Sequence, residues 1–220
     1  MKKIKVLVLF YSLGGSTAEL ARAVSKGAES VADTEVKIKM VPELISEEVF
    51  KKNPKMKEGR DKLLKEFSEA TVDDLVEADA VAFGTPVRFG SFAAQIKQFL
   101  DQLSSAWLQR KLVNKPAAVF CSAGSMHGGE ELTLLSLMIP LLNLGMIPVG
   151  IPYPLQGESP DFDAGSPYGA IFVTGGNRKF AEADHKVARV LGMRLATIAH
   201  VLNCGCEACG ICYTLNQELE

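Results

Sequence analysis

A chain of 220 residues, 47% hydrophobic and 23% charged, has enough apolar mass for one sizeable core. Its formal net charge of −2 excludes the positive excess or basic stripe on which duplex binders depend, so no nucleic-acid partner is expected. The balance is that of a soluble globular protein without repeats or low-complexity tracts.

The first element is the apolar run Val6-Leu7-Val8-Leu9-Phe10, preceded by Lys2, Lys3 and Lys5. It is too short for the apolar region of a signal peptide, and Gly14-Gly15 follow at once. It reads as a buried strand. The loop after it, Ser12, Leu13, Gly14, Gly15, Ser16 and Thr17, opens a helix over about 17–30. A strand, a Ser/Gly/Thr loop and a helix start together make a phosphate cradle. Backbone N–H groups and the positive end of the helix dipole face the anion, and the hydroxyls add donors. Ser16-x-x-Glu19 fits a capping box, which would set the helix start.

A second strand is predicted over 35–41. The stretch 43–77 is charged, with Lys51, Lys52, Lys55, Lys57, Lys62 and Lys65 among its cations. It reads as an insertion of one or two surface helices and a loop, its lysines on a solvated face. A third strand over 79–84 ends in Gly84-Thr85-Pro86-Val87-Arg88-Phe89-Gly90. The helix predicted over 91–105 puts Phe92, Ile96, Phe99, Leu100 and Leu103 on one face. A fourth strand over 117–121 ends in Ser122, Ala123, Gly124, Ser125, Met126, His127 and Gly128, before a helix over 129–144. A fifth strand is predicted over 146–151 and a last helix over 181–202. Leu132 to Gly157 carries no charge, but Pro140, Pro148, Pro152 and Pro154 cut it into pieces too short to span a bilayer. No membrane association is expected, and the expected compartment is the cytoplasm.

Strands and helices that alternate, with near-continuous apolar strands, imply an α/β fold. The expected form is a doubly wound five-stranded parallel sheet in a three-layer αβα sandwich. Ligands of such sheets sit beyond the carboxyl ends of the strands, where the loops 12–17, 84–90 and 121–129 converge. The first loop lacks G-x-G-x-x-G, the second strand ends in Met40-Val41-Pro42 without an acid, and no G-x-x-x-x-G-K-[ST] occurs. A mononucleotide phosphate remains. Phe89 and Arg88 beside tight-turn residues suit the edge of a planar, electron-accepting ring, and Arg88 would stabilise negative charge there.

The segments FYSLGGSTAELARAV, FGTPVRFGSFAAQIKQFLDQ with Trp107 downstream, CSAGSMHGGEE, NLGMIPVGIPY and GSPYGA closely resemble the WrbA family. The match spans about residues 4–203, and GTPxRFG with its downstream FLDQ…W is its most specific part. That resemblance implies a flavodoxin-like, FMN-dependent NAD(P)H:quinone oxidoreductase. It places the phosphate loop on Ser12 to Thr17, the flavin-ring loop on Pro86, Val87, Arg88 and Phe89, and a third flavin loop on Ser122 to Gly128. Trp107 falls on the aromatic that walls the substrate space, usually from a neighbouring subunit. It implies a homo-oligomer, a dimer or tetramer, in which the insertion helps to shape the site. The chain departs from the family in having Met126-His127 in the third loop, Asn143 where a flavin-side histidine is frequent, and Gly14 where an aromatic often lies by the nicotinamide.

His127 falls in a flavin loop, able to meet a quinone oxygen or to face solvent; His185 and His200 have ordinary packing or surface roles, and Cys121 is a small core residue. Past the match, Cys204, Cys206, Cys209 and Cys212 form C-x-C-x-x-C-x-x-C, with glycines that permit tight turns. Four close thiolates are candidate ligands for zinc or an iron–sulfur cluster. The chain thus divides into a domain over 1–203, with 43–77 inserted, and a cysteine-rich tail over 204–220. The expected reaction is ping-pong: NADH or NADPH reduces FMN, then a quinone takes two electrons. No protein nucleophile is needed, so no catalytic residue is assigned. The rivals are a flavodoxin that only carries electrons and a regulatory partner of a DNA-binding protein.

Overall fold

The computed structural model describes residues 3–153, 165–175 and 178–209, with 204–209 given as backbone. β1 (Ile4–Phe10) lies between β2 (Thr34–Met40) and β3 (Ala80–Pro86), and β4 (Pro116–Ala123) follows β3. β5 (Ile147–Pro148) and β6 (Ala170–Val173) both pair with β4, and every pairing is parallel. The register aligns the strand ends: Phe10 lies opposite Gly84, Pro86 opposite Ser122, and Ala123 opposite Val173. The chain therefore leaves β1, β3, β4 and β6 along one edge, where the site forms.

The fold is the expected doubly wound parallel sheet between two helical layers. Among the described residues the sheet has six strands rather than five, because the fifth position is split. β5 pairs with the start of β4 and β6 with its end. The predicted strand over 146–151 pairs only at Ile147–Pro148, and Val149 N–H adds one bond to Ala117 O (2.7 Å). Pro148 and Pro152 have no N–H to give a ladder. Ile151 N–H turns to Pro167 O (3.0 Å) instead.

Alternate residues of β1 face opposite layers, as the two-residue period of a strand requires. Val6, Val8 and Phe10 join a core with α1 (Ser16–Glu29) and α8 (Glu182–Cys209). Leu7, Leu9 and Tyr11 join another with α5 (Ala94–Asp101) and α7 (Glu130–Asn143). α1 and α8 cross through Gly27 and Gly192. A Cβ on Gly27 would strike the carbonyl of Arg189, and one on Gly192 that of Val24.

The inserted stretch holds three helices, one more than expected: α2 (Glu47–Lys52), α3 (Pro54–Glu66) and α4 (Val72–Glu77). Phe50 is fully buried under the Arg60 guanidinium, 4.0 Å from its ring centroid, and Arg60 pairs with Glu47 (2.5 Å) and Asp61 (2.8 Å). Thr71 and Asp74 form a reciprocal capping box on α4.

The helix predicted from Ser91 starts at Ala94. Arg88 and Ser91 exchange two backbone hydrogen bonds, which holds the chain extended past Phe92. It stops at Asp101, and α6 (Ser104–Leu108) carries Trp107. α8 runs past 202 to Cys209, so the backbone at Cys204 and Cys206 continues the helix rather than making tight turns. Among the described residues, no helix is long and apolar enough to cross a membrane.

Candidate active site

The first loop takes its form from the way α1 begins. Its N-cap is Gly15, in the left-handed region at φ 95°, and no side chain caps the helix. The expected capping box is absent. Glu19 turns along the helix to Arg22 (3.0 Å), while Ser12 Oγ accepts from Gly15 N–H (3.1 Å). The first-turn N–H groups of α1 thus point outward without a protein cap, which is what an anion at a helix start requires. Ser12 and Thr17 are buried, and Thr17 Oγ1 shares a hydrogen bond with Ser122 Oγ (2.8 Å). That contact ties the first loop to the third.

The second loop is held by Val87 N–H to Ser122 O (2.8 Å) and by the Arg88–Ser91 pair. Phe89 lies in the left-handed region at φ 53° and is fully exposed (106%). A bulky residue there is strained. Gly90 meets the third loop, where a Cβ on Gly129 would lie 2.8 Å from Gly90 Cα. His127 is also left-handed, at φ 59°.

A pocket of about 490 Å³ opens between these loops. From the expected set it gathers Ser12, Leu13, Gly14, Ser16, Thr17, Pro86, Val87, Arg88, Ser122, Ala123 and Gly124. Gly15 borders an adjoining cavity. Met126 and His127 line a separate depression with Glu130, Glu131 and Ile171. Phe89, Ser125 and Gly128 line neither of these three spaces. Trp107 and Asn143 come together in a groove between α5, α6 and α7, apart from the pocket, and Asn143 Nδ2 donates to Ile139 O (3.0 Å).

Behind the loop, Tyr11 donates to Glu43 Oε2 (2.9 Å). Glu43 Oε1 also accepts from Gln95 Nε2 (2.8 Å) and from Leu44 N–H (2.8 Å). Burial, reinforced by this carboxylate, holds the Tyr11 phenol well above its usual range. The cluster locks the end of β1 to the insertion and to α5.

Residues 4–160 match the family described as NADPH-dependent FMN reductase. A relative from Geotalea daltonii, named NAD(P)H dehydrogenase (quinone), is 40% identical over 203 residues, covering 90% of this chain and 98% of its own. One from Sinorhizobium fredii with the same name is 43% identical over 199 residues, covering 89% and 96%. The chain belongs to the NADPH-dependent FMN reductase family. A WrbA-like flavodoxin from Agrobacterium tumefaciens shares the fold of this FMN reductase-family chain, with a TM-score of 0.60 at 23% identity over 90% of this chain and 98% of that one.

The pocket suits the family's cofactor. Among the described residues it is lined by hydroxyls, by Lys55 and Arg88, and by no carboxylate. Lys55, Met56 and Gly59 of α3 correct the expectation that the inserted lysines only face solvent. A Cβ on Gly59 would lie 2.8 Å from Leu13 O, so α3 packs directly on the first loop. Thr174 is the other unforeseen member; its N–H (2.8 Å) and hydroxyl (3.2 Å) both donate to Ala123 O. A hydroxyl after the apolar run Ala170–Val173, with Gly175 next, repeats the pattern of Ser12 and Ser122 and was the available signal. Cys121 is fully buried. The metal ligation expected of Cys204, Cys206, Cys209 and Cys212 lies outside the described residues, and among those described no group of three metal-ligating side chains occurs.

Proposed function

We propose that the chain is an FMN-dependent NAD(P)H:quinone oxidoreductase. The observation that carries this reading is a pocket of hydroxyls, cations and free first-turn N–H groups, without a carboxylate among the described residues, at an uncapped helix start. Relatives at about 40% identity along nearly their whole length, named NAD(P)H dehydrogenase (quinone), support it. When bound, FMN supplies the redox chemistry, taking a hydride from the nicotinamide and passing two electrons to the quinone.

The protein's part is to bind and orient. Ser12, Ser16 and Thr17 with the start of α1 hold the phosphate, and Lys55 adds positive charge from the insertion. The loops 86–89 and 122–128 meet the ring edge, where Arg88 favours the electron-rich form. Tyr11, Glu43 and Gln95 keep the phosphate loop from shifting. No side chain acts as a nucleophile. Trp107 walls the acceptor space of a neighbouring copy, in a homo-oligomer that acts in the cytoplasm. The thiols of Cys204, Cys206, Cys209 and Cys212 take zinc or an iron–sulfur cluster as a separate feature.

The test is the absorption spectrum of the FMN-reconstituted protein without oxygen. NADH or NADPH is expected to bleach the flavin bands and benzoquinone to restore them. Bound flavin that neither nicotinamide reduces would leave an electron carrier instead. Metal analysis of the same preparation checks the cysteines: zinc or iron below a tenth of an equivalent rejects them as ligands.

A further inference from the structure

The space at the phosphate loop continues past the loop. A second cavity of about 360 Å³ shares Gly14, Ser16, Gly59 and Thr174 with the first, so the two open into each other. At Gly14 and Gly15 a Cβ would meet nothing within 4 Å, and among the described residues no side chain closes the rim between them.

The second cavity is basic. Among the described residues, Arg22, Lys62, Arg178 and Lys179 line it against one carboxylate, Glu19. Two of the cations are fixed: Arg22 by Glu66 (2.6 Å) and Glu19 (3.0 Å), and Arg178 by the buried Asp184 (3.0 Å). Lys62 and Lys179 have no hydrogen bond or ion pair among the described residues. Phe180 supplies an aromatic wall, its ring packed edge-on against Phe172 with centroids 5.0 Å apart. Two ammonium groups outside any close ion pair, Lys62 standing in the field of Glu66, and an aromatic, opening from a phosphate cradle, are what a nucleoside phosphate joined to the first phosphate would need.

We propose that this cavity is a second phosphate subsite, so that the chain accepts the flavin dinucleotide, FAD, as well as FMN. The flavin half occupies the first pocket, and the adenosine phosphate lies between Lys62 and Lys179 with its base toward Phe180. The inference rests on the flavin reading of the first pocket.

Calorimetric titration of the apoprotein with FMN and with FAD tests it, using the parent chain and the double variant Lys62→Gln/Lys179→Gln. Both lysines are exposed and neither is in the first pocket, so the variant folds. FAD is expected to bind the parent at least as tightly as FMN. The variant is expected to lose about tenfold in FAD affinity and to hold FMN within about twofold, since only the outer phosphate meets the lysines. FMN binding without FAD binding, or an equal loss for both flavins, overturns the inference and leaves the first pocket standing. If neither flavin binds, both readings fall. A changed preference for NADPH over NADH in the variant, with FAD affinity unmoved, assigns the lysines to the nicotinamide's extra phosphate and also overturns the proposal.

Discussion

At Gly59 the inserted helix lies directly against the first loop, with room for hydrogen alone beneath Leu13 O. Gly59→Ala would push α3 away from Leu13, and Lys55 and Met56 with it. Overpacking of this kind costs about 1–3 kcal/mol, and relaxation at an edge this open would spend it mostly in the cradle. FMN affinity of the variant is expected to fall about tenfold, measured by calorimetry, while its melting temperature moves by only a few degrees. Unchanged affinity would mean that α3 is no part of the cradle. Ser12 and Ser122 were readable because a hydroxyl at the end of an apolar run has a defined position, and Thr17 because it lies in the first turn of the helix that follows. Lys55 was not. It is one of many lysines in a charged stretch, and only the close approach that Gly59 allows brings α3 to the loop.

At the scale of elements, the contact between α1 and α8 depends on two glycines that face opposite carbonyls. Neither helix can keep its distance from the other with a larger residue there. Gly192→Val puts a branched Cβ against Val24 O and Ala28 N. It is expected to destabilise the fold by about 3 kcal/mol, read as a lowered urea midpoint at unchanged slope. A shift under a quarter of that would show that α8 tilts freely. β1, α1, β3 and β4 followed their apolar runs to within a few residues because each run ends at a turn residue with its own chemistry. The fifth strand did not. Its apolar run through Val149 and Ile151 is as good as any, but prolines break the ladder after two residues. The position is completed by β6, more than twenty residues downstream, and periodicity within a window cannot reveal a partner that far along the chain. The uncapped start of α1 was misread for a related reason. Ser16 and Glu19 have the spacing of a capping box, but Gly15 takes the cap position one residue early, and Arg22 draws Glu19 away.

The whole molecule leaves one helix with apolar residues on both sides. Leu134, Leu137 and Leu141 of α7 are fully buried against the sheet. Leu132, Leu135, Ile139 and Leu142 form a second stripe at helical spacing on the opposite face, and all four are exposed. Trp107, at 52% exposure, and Leu108 extend that stripe across α6. A helix apolar on both faces belongs in an interior, and an exposed apolar stripe along it marks an interaction surface. The strained, fully exposed Phe89 is consistent with a surface completed by something outside the protomer. A second copy covering this face would bury the stripe and bring Trp107 toward a neighbour's pocket, as the quinone reading requires. Light scattering of the parent is therefore expected to report a dimer or tetramer, and Ile139→Glu/Leu142→Glu a single chain. Both replaced side chains point to solvent in the protomer, so the variant keeps its melting of secondary structure and binds FMN. Its quinone turnover drops at least tenfold, because Trp107 no longer reaches a neighbouring site. A variant that dissociates and keeps full turnover would place the acceptor site wholly within one protomer. A parent that is monomeric at micromolar concentration would remove Trp107 from the reaction altogether.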